Sequence, residues 1–274
     1  MITQMPTQTE KARTFRALHE RAHAFIIPNP WDAGSAKLLT HLGFEALATT
    51  SAGYSFSAGR PDNTTPREEM LLHCAAVVNA TNLPVSGDLE NGFGDSPETV
   101  AETIRLAAAA GLAGCSIEDS TGHTGRPVYE FEHSVDRVRA AVTAARALPF
   151  PFTLTARAEN HIVGRPDIKD TIRRLQAYQE AGADVLFAPG LATREDISAV
   201  DHSVDRPVNV LPPAGFNLSE LSALGVRRVS VGSALARAAL GAFMRAAKEM
   251  HEHGTFTFAE QAMPYGELNT LFSS

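Results

Sequence analysis

Two pairs of carboxylates in this chain are spaced as a metal site requires. In Pro84-Val85-Ser86-Gly87-Asp88-Leu89-Glu90-Asn91-Gly92-Phe93-Gly94-Asp95, a short apolar run ends in Asp88 and Glu90 and then in a glycine-rich turn. That is how a buried strand delivers charged groups to the mouth of a pocket. Residues i and i+2 of an extended backbone share a face, so both carboxylates are expected to reach one point. A second pair, Glu118-Asp119, closes the run Gly114-Cys115-Ser116-Ile117. Neighbouring parallel strands lie about 4.8 Å apart, so adjacency crowds three or four carboxyl groups at one end of a sheet. Like charges repel there unless a cation sits among them. Oxygen ligands without His or Cys suit a hard ion, Mg²⁺ first and Mn²⁺ as its substitute.

The elements that position these groups follow from the rest of the chain. With 274 residues there is room for one large α/β barrel or two small domains. The net charge of −7 argues against nucleic acid as a partner. No basic start followed by an apolar core opens the chain, and no apolar run approaches membrane-spanning length, so a cytoplasmic protein without a membrane partner is expected. Cys74 and Cys115 lie far apart and suggest neither a disulfide nor a zinc site.

Residues 8 to 23 have the spacing of an amphipathic helix (Ala12, Phe15, Leu18, Ala22), suited to plugging a barrel floor. A phrase then recurs: a helix tail, a glycine, and a short apolar strand. It occurs at Gly43, Gly111, Gly182 and Gly225, each a helix C-cap feeding a parallel strand. Strands are expected near 25, 46, 86, 116, 154, 186, 208 and 229. Eight βα units in about 250 residues predict a single (β/α)8 TIM barrel over 1–274, with a leading helix over 1–23 and a helical tail over 254–274. A doubly wound open sheet is the alternative.

Barrel enzymes carry their chemistry on the loops after the strands. The polar strand ends are Thr49, Thr50 and Ser51 after strand two, Asp88 and Glu90 after three, Glu118 and Asp119 after four, and Arg157, Glu159 and Asn160 after five. Strands six to eight end blandly, in Ala188-Pro189-Gly190, Leu211-Pro212-Pro213 and Gly232-Ser233.

On these residues the sequence resembles the isocitrate lyase/phosphoenolpyruvate mutase superfamily from about Phe25 onward. The element Asp88-x-Glu90-x-Gly92-Phe93-Gly94 looks like its metal loop, and Gly114 to Asp119 like its Glu-Asp strand. Thr155-Ala156-Arg157 matches its strand-five element. Ala46 to Gly53, with Asp62 downstream, looks like its substrate-anion loop and water-mediated metal contact. The resemblance implies a Mg²⁺-dependent lyase acting on small 2-oxo acids or related hydroxy acids through an enolate. It implies metal ligation by Asp88, Glu90 and Glu118, and substrate binding by Thr50, Ser51, Ala52, Gly53, Asp88 and Arg157. Catalytic roles fall to Arg157 and to Asp62 through a metal-bound water.

Departures from the family refine this. Isocitrate and methylisocitrate lyases carry a Lys-[KR]-Cys-Gly-His loop, whereas Ser120-Thr121-Gly122-His123-Thr124-Gly125-Arg126 has no cysteine. The Lys and Asn of phosphonate-cleaving members are not recognisable either. An intact enolate-stabilising side without the usual proton-handling groups favours decarboxylation of an oxaloacetate-like acid, or C–C cleavage with another acid such as His123 or Tyr129. Phosphonate chemistry, and a barrel that binds 2-oxo acids with little turnover, are the alternatives. The Gly- and Thr-rich segment 120 to 132 is long for a βα loop and reads as a lid. Family members swap their last helix, so a homodimer or homotetramer is implied.

Overall fold

The computed structural model describes residues 5–273. The first helix, α1 (Gln8–His19), starts at a capping box. The Thr7 N–H donates to Glu10 at 2.7 Å, and the Glu10 N–H donates back to Thr7 Oγ1 at 3.3 Å. It ends four residues before the expected boundary. Its buried Ala12, Phe15 and Leu18 pack on Phe25, Ile27, Ala46 and Ala113, which closes one end of the barrel as expected.

Eight parallel strands follow: β1 (Phe25–Ile27), β2 (Leu47–Ala48), β3 (Val85–Asp88), β4 (Gly114–Glu118), β5 (Thr153–Arg157), β6 (Val185–Phe187), β7 (Val208–Val210) and β8 (Arg228–Ser230). They are hydrogen-bonded in the order β1-β8-β7-β6-β5-β4-β3-β2. Between β2 and β1 the Ala48 N–H donates to Pro28 O at 3.0 Å, and the sheet closes into a (β/α)8 barrel. Asn29 reinforces that seam. Its Nδ2 donates to Thr49 O at 3.0 Å, and its Oδ1 accepts from the Val231 and Gly232 N–H groups at 2.8 and 3.0 Å.

The helices bury one stripe each against the strands. Helix α2 (Ala33–His41) lies between β1 and β2, followed by α3 (Ser51–Ser57) and α4 (Arg67–Asn79), then α5 (Pro97–Ala109) and α6 (Phe131–Arg146). Around the rest of the barrel run α7 (Ile168–Glu180), α8 (Arg194–Asp201) and α9 (Leu218–Ala223). Helix α5 starts as its sequence dictates, with Ser96 accepting from the Thr99 N–H at 3.2 Å and Pro97 in the first turn. The recurring glycines end their helices with positive φ; Gly182 has φ 102°, and a Cβ there would stand 2.9 Å from Val142 Cγ1.

The long helix α10 (Ala234–His253) stops at Gly254 with φ 64°. A 3₁₀ turn, Thr257–Gln261, leads to α11 (Tyr265–Phe272), whose Phe272 O accepts from Lys37 of α2 at 3.3 Å. Ala236 is the one buried residue of α10 among the described residues, while Leu240, Phe243, Met244 and Met250 stand exposed. No helix of the described residues is long and apolar enough to cross a membrane.

Candidate active site

Asp88, Glu118 and Arg157 are the last residues of three consecutive strands, with Glu118 and Arg157 directly paired in register. The Arg157 guanidinium sits among the acids. Its Nη1 lies 3.2 Å from Glu118 and 3.7 Å from Asp88, and its Nε is bonded to Glu159. Burial opposes this charge, but Glu159, Glu118 and Asp88 outweigh it and hold the guanidinium protonated above its ordinary range. The same crowding acts oppositely on the acids. Burial pushes Glu118 upward, Arg157 resists, and Glu159, Asp88 and Glu90 add repulsion. The Asp62 carboxyl is raised by desolvation first and by the Asp88 charge second.

Asp88 is oriented by its neighbours. The Ser51 N–H and Oγ both donate to its Oδ2, at 3.0 and 2.9 Å, and its own N–H donates to Thr49 Oγ1 at 2.9 Å. Ser51 therefore acts on Asp88. Thr50 caps α3, accepting from the Gly53 N–H at 3.2 Å, so of the first three N–H groups in that helix the Ala52 one has no partner among the described residues. Thr50, Ser51 and Ala52 line one pocket of about 240 Å³ together with Asp62, Asp88, Glu118 and Arg157. Gly53 is buried instead against Thr50, Trp31 and Ala236.

Glu90 departs from the shared-face expectation. β3 ends at Asp88, and Glu90 takes φ 49°, a conformation rare for a residue with a side chain. It lines a neighbouring groove of about 810 Å³ that meets the first pocket at Glu118 and Ser120. Only 8% exposed, it keeps Oε1 without a hydrogen bond and is pushed up to about 8 by burial, then by Asp88 and Asp62. Contacts to backbone carbonyls hold the turn: the Glu118 N–H donates to Glu90 O at 2.9 Å, and buried Arg137 donates to the carbonyls of Asn91, Gly94 and Asp95.

This donor set fits a hard divalent ion. A buried carboxylate oxygen lacks a partner, and the acids crowd around a guanidinium that supplies the positive charge a cation otherwise would. Among the described residues no three Asp, Glu, His or Cys side chains already stand in coordination geometry. Mg²⁺ keeps several waters and takes only one or two carboxylates directly, so Asp88 can bind it while the others hold its waters.

The remaining predicted residues lie elsewhere. His123 is at the exposed tip of the 120–128 loop and faces the larger groove. That loop is a closed turn, with a bridge between Ser120 and Val128 and the Thr121 N–H donating to Pro127 O at 3.0 Å. Tyr129 is a strut: its OH donates to Asp95 at 2.6 Å and accepts from Asn91 at 3.1 Å, while burial and Asp95 push it up to about 12. Asp119 points away from the pocket. It accepts from the Glu159 N–H at 2.8 Å, Arg174 at 3.1 Å and Tyr178 OH at 2.6 Å, anchoring the segment after β5. Sequence reasoning missed Arg228, whose place two residues before the inward Ser230 was the available signal.

Residues 15–251 match the phosphoenolpyruvate phosphomutase family. A crystal structure of a provisional lyase/mutase from Burkholderia cenocepacia J2315 is similar with 61% identity and a TM-score of 0.96, covering 97% of this chain and 98% of that one. An oxaloacetate decarboxylase from Paraburkholderia xenovorans is 30% identical over 82% of this chain and 76% of its own. A phosphonopyruvate hydrolase in complex with oxalate and Mg²⁺ superposes with a TM-score of 0.86 at 25% identity, over 96% of this chain and 95% of that one.

Proposed function

Because the chain belongs to the phosphoenolpyruvate phosphomutase family, within the isocitrate lyase/phosphoenolpyruvate mutase superfamily, we propose that it is a Mg²⁺-dependent carbon–carbon lyase or decarboxylase of small 2-oxo acids or related hydroxy acids, acting through an enolate. The observation that carries this reading is Arg157 held among Asp88, Glu118 and Glu159 at the ends of consecutive strands. Asp88 would be the principal metal ligand, with Glu90, Glu118 and Asp62 holding the ion directly or through water. The bound ion would serve as a Lewis acid toward the 2-oxo group.

The chain's own residues do the rest. Ser51 fixes the Asp88 carboxylate by two hydrogen bonds, so no reorganisation is needed when substrate arrives. Arg157 has a planar fork that matches a carboxylate, and its present acidic partners keep it charged and aimed into the pocket. The Ala52 N–H, at the start of α3, adds a donor for the same carboxylate. Phe187, Leu211, Ile162 and Val163 supply the apolar part of the pocket lining, with the Phe187 ring 5.1 Å from the Arg157 guanidinium carbon. His123 is the proton donor this reading assigns from the loop side, and it must swing inward to act. We assign the site to a cytoplasmic homodimer or homotetramer, supported by the exposed apolar side chains of α10.

Pyruvate release from oxaloacetate and from 2-methylisocitrate, followed with Mg²⁺ and with EDTA, tests the reading. Metal-dependent release from either is expected. Tight Mg²⁺-dependent oxalate binding with no release from any 2-oxo or hydroxy acid would leave a binding protein instead.

A further inference from the structure

Below the acidic ring, β3, β4 and β5 turn small polar side chains inward, where barrel cores usually carry bulky branched ones. The inward positions beneath Asp88, Glu118 and Arg157 are Ser86, Ser116 and Thr155, since side chains two residues apart on a strand share a face. Asn209 and Ser230 continue this layer on β7 and β8, joined by a 3.0 Å hydrogen bond. The pocket descends into the well so formed, and Arg228 lines it.

Arg228 is only 4% exposed. Its Nε donates to Asn209 Oδ1 at 2.9 Å, one terminal nitrogen to Thr155 Oγ1 at 3.0 Å, and the other to His19 Nε2 at 3.3 Å. The His19 Nδ1 lies 2.8 Å from Phe15 O, the contact of a neutral ring whose Nε2 accepts. Burial and the Arg228 charge lower His19 to about 3, which agrees. All three partners are neutral, and they account for three of five guanidinium N–H groups. No carboxylate among the described residues pairs with Arg228, and burial alone acts on it, lowering it to about 9. It is charged at neutral pH. A buried cation without a counter-ion is costly, and Arg228 borders a cavity open to the substrate site.

We propose that Arg228 makes the floor of the well a carboxylate subsite, which takes the far carboxylate of a 2-oxo dicarboxylic acid whose 2-oxo acid end lies at the acidic ring. This rests on the reading of the mouth as a metal-assisted 2-oxo acid site. Thr155 is two residues below Arg157 on β5, which sets the depth at roughly 6.6 Å along the strand. The substrate therefore needs an arm between its two acid groups. A carboxylate held by a guanidinium keeps its charge, so the subsite serves acids whose terminal carboxylate survives the reaction.

Calorimetry with Mg²⁺ and matched pairs of acids tests this: 2-oxoglutarate against 2-oxovalerate, and 2-oxoadipate against 2-oxohexanoate, with oxalate as the ligand that has no arm. In each pair a terminal carboxylate is exchanged for a methyl group. At least one dicarboxylate is expected to bind tenfold or more tightly than its partner. Arg228→Gln should erase that preference and leave oxalate within about twofold. Should Arg228→Gln fold poorly, Ser116→Val fills the well with Arg228 in place, and it too should erase the preference. A wild-type protein that binds oxalate but prefers neither dicarboxylate overturns the subsite alone, as does equal loss of oxalate and dicarboxylate in both variants. Absent oxalate binding in the wild type would instead overturn the reading of the mouth.

Discussion

Replacing Asp119 by alanine tests whether the network behind β5 holds the site in place. The side chain receives three donors: the Glu159 N–H, Tyr178 OH and Arg174. Burial pushes its carboxyl above the usual range, and these partners oppose that shift. Without it, the buried Arg174 keeps only Asp170 as an acid partner, at 2.8 Å, and two donors lose their acceptor. Breaking a buried pair from one side costs about 3–5 kcal/mol, chiefly because a charge is left uncompensated. The two orphaned donors would cost about 1–3 kcal/mol each in isolation. These costs overlap, so the expected loss for Asp119→Ala is roughly 4 kcal/mol, or about 10 °C in melting temperature. Urea denaturation followed by circular dichroism measures it. Adding Arg174→Met removes the stranded cation, and at least about 1 kcal/mol should return. Because Glu159 pairs with Arg157, Mg²⁺-dependent oxalate binding should weaken in Asp119→Ala as well. A loss under about 1 kcal/mol, or a double variant as damaged as the two single losses added, would refute the reasoning.

Three further outcomes are expected. Asp88→Ala should abolish Mg²⁺-dependent oxalate binding in calorimetry while leaving the fold intact; retained binding would remove Asp88 as principal ligand. In the metal-free protein, Glu90 has a folded-state value of about 8 against 4.5 when unfolded, so it is protonated in the fold and ionised in the unfolded chain between those limits. Folding takes up a proton there, so stability falls as pH rises from 4.5 to 8, by at most roughly 5 kcal/mol. Glu90→Gln should flatten that slope in urea titrations with EDTA, and parallel slopes would count against it. Limited proteolysis should cut the exposed 122–126 tip in the free protein and spare it with oxalate and Mg²⁺; equal cutting would mean that the loop does not close.

The barrel was legible because each βα unit repeats one physical phrase, a capped helix, a glycine with positive φ and a short apolar strand. Asp88, Glu118 and Arg157 were legible for the same reason: each ends a strand. Glu90 was found by spacing, yet the shared-face argument assumes an extended backbone, and the chain leaves β3 at Asp88 before turning. The contact of Ser51 with Asp88 was not legible, because a serine in a turn gives no hint that it will orient a carboxylate across a strand boundary. Helix α3 escaped notice, since Ser51-Ala52-Gly53-Tyr54-Ser55-Phe56-Ser57 lacks helical periodicity and is held by its Thr50 cap. Arg228 was hidden in the pair Arg227-Arg228, where only strand parity tells which guanidinium turns inward.

The short β2 has a consequence for how the enzyme fails. Among the described residues, one main-chain hydrogen bond and the Asn29 side chain rivet β2 to β1, where other staves share ladders. Thermal breathing should begin at that joint, which runs directly into Thr49 and Ser51, so amide exchange at 47–53 should outpace the other staves. On warming, the grip on Asp88 would slacken before the barrel as a whole comes apart.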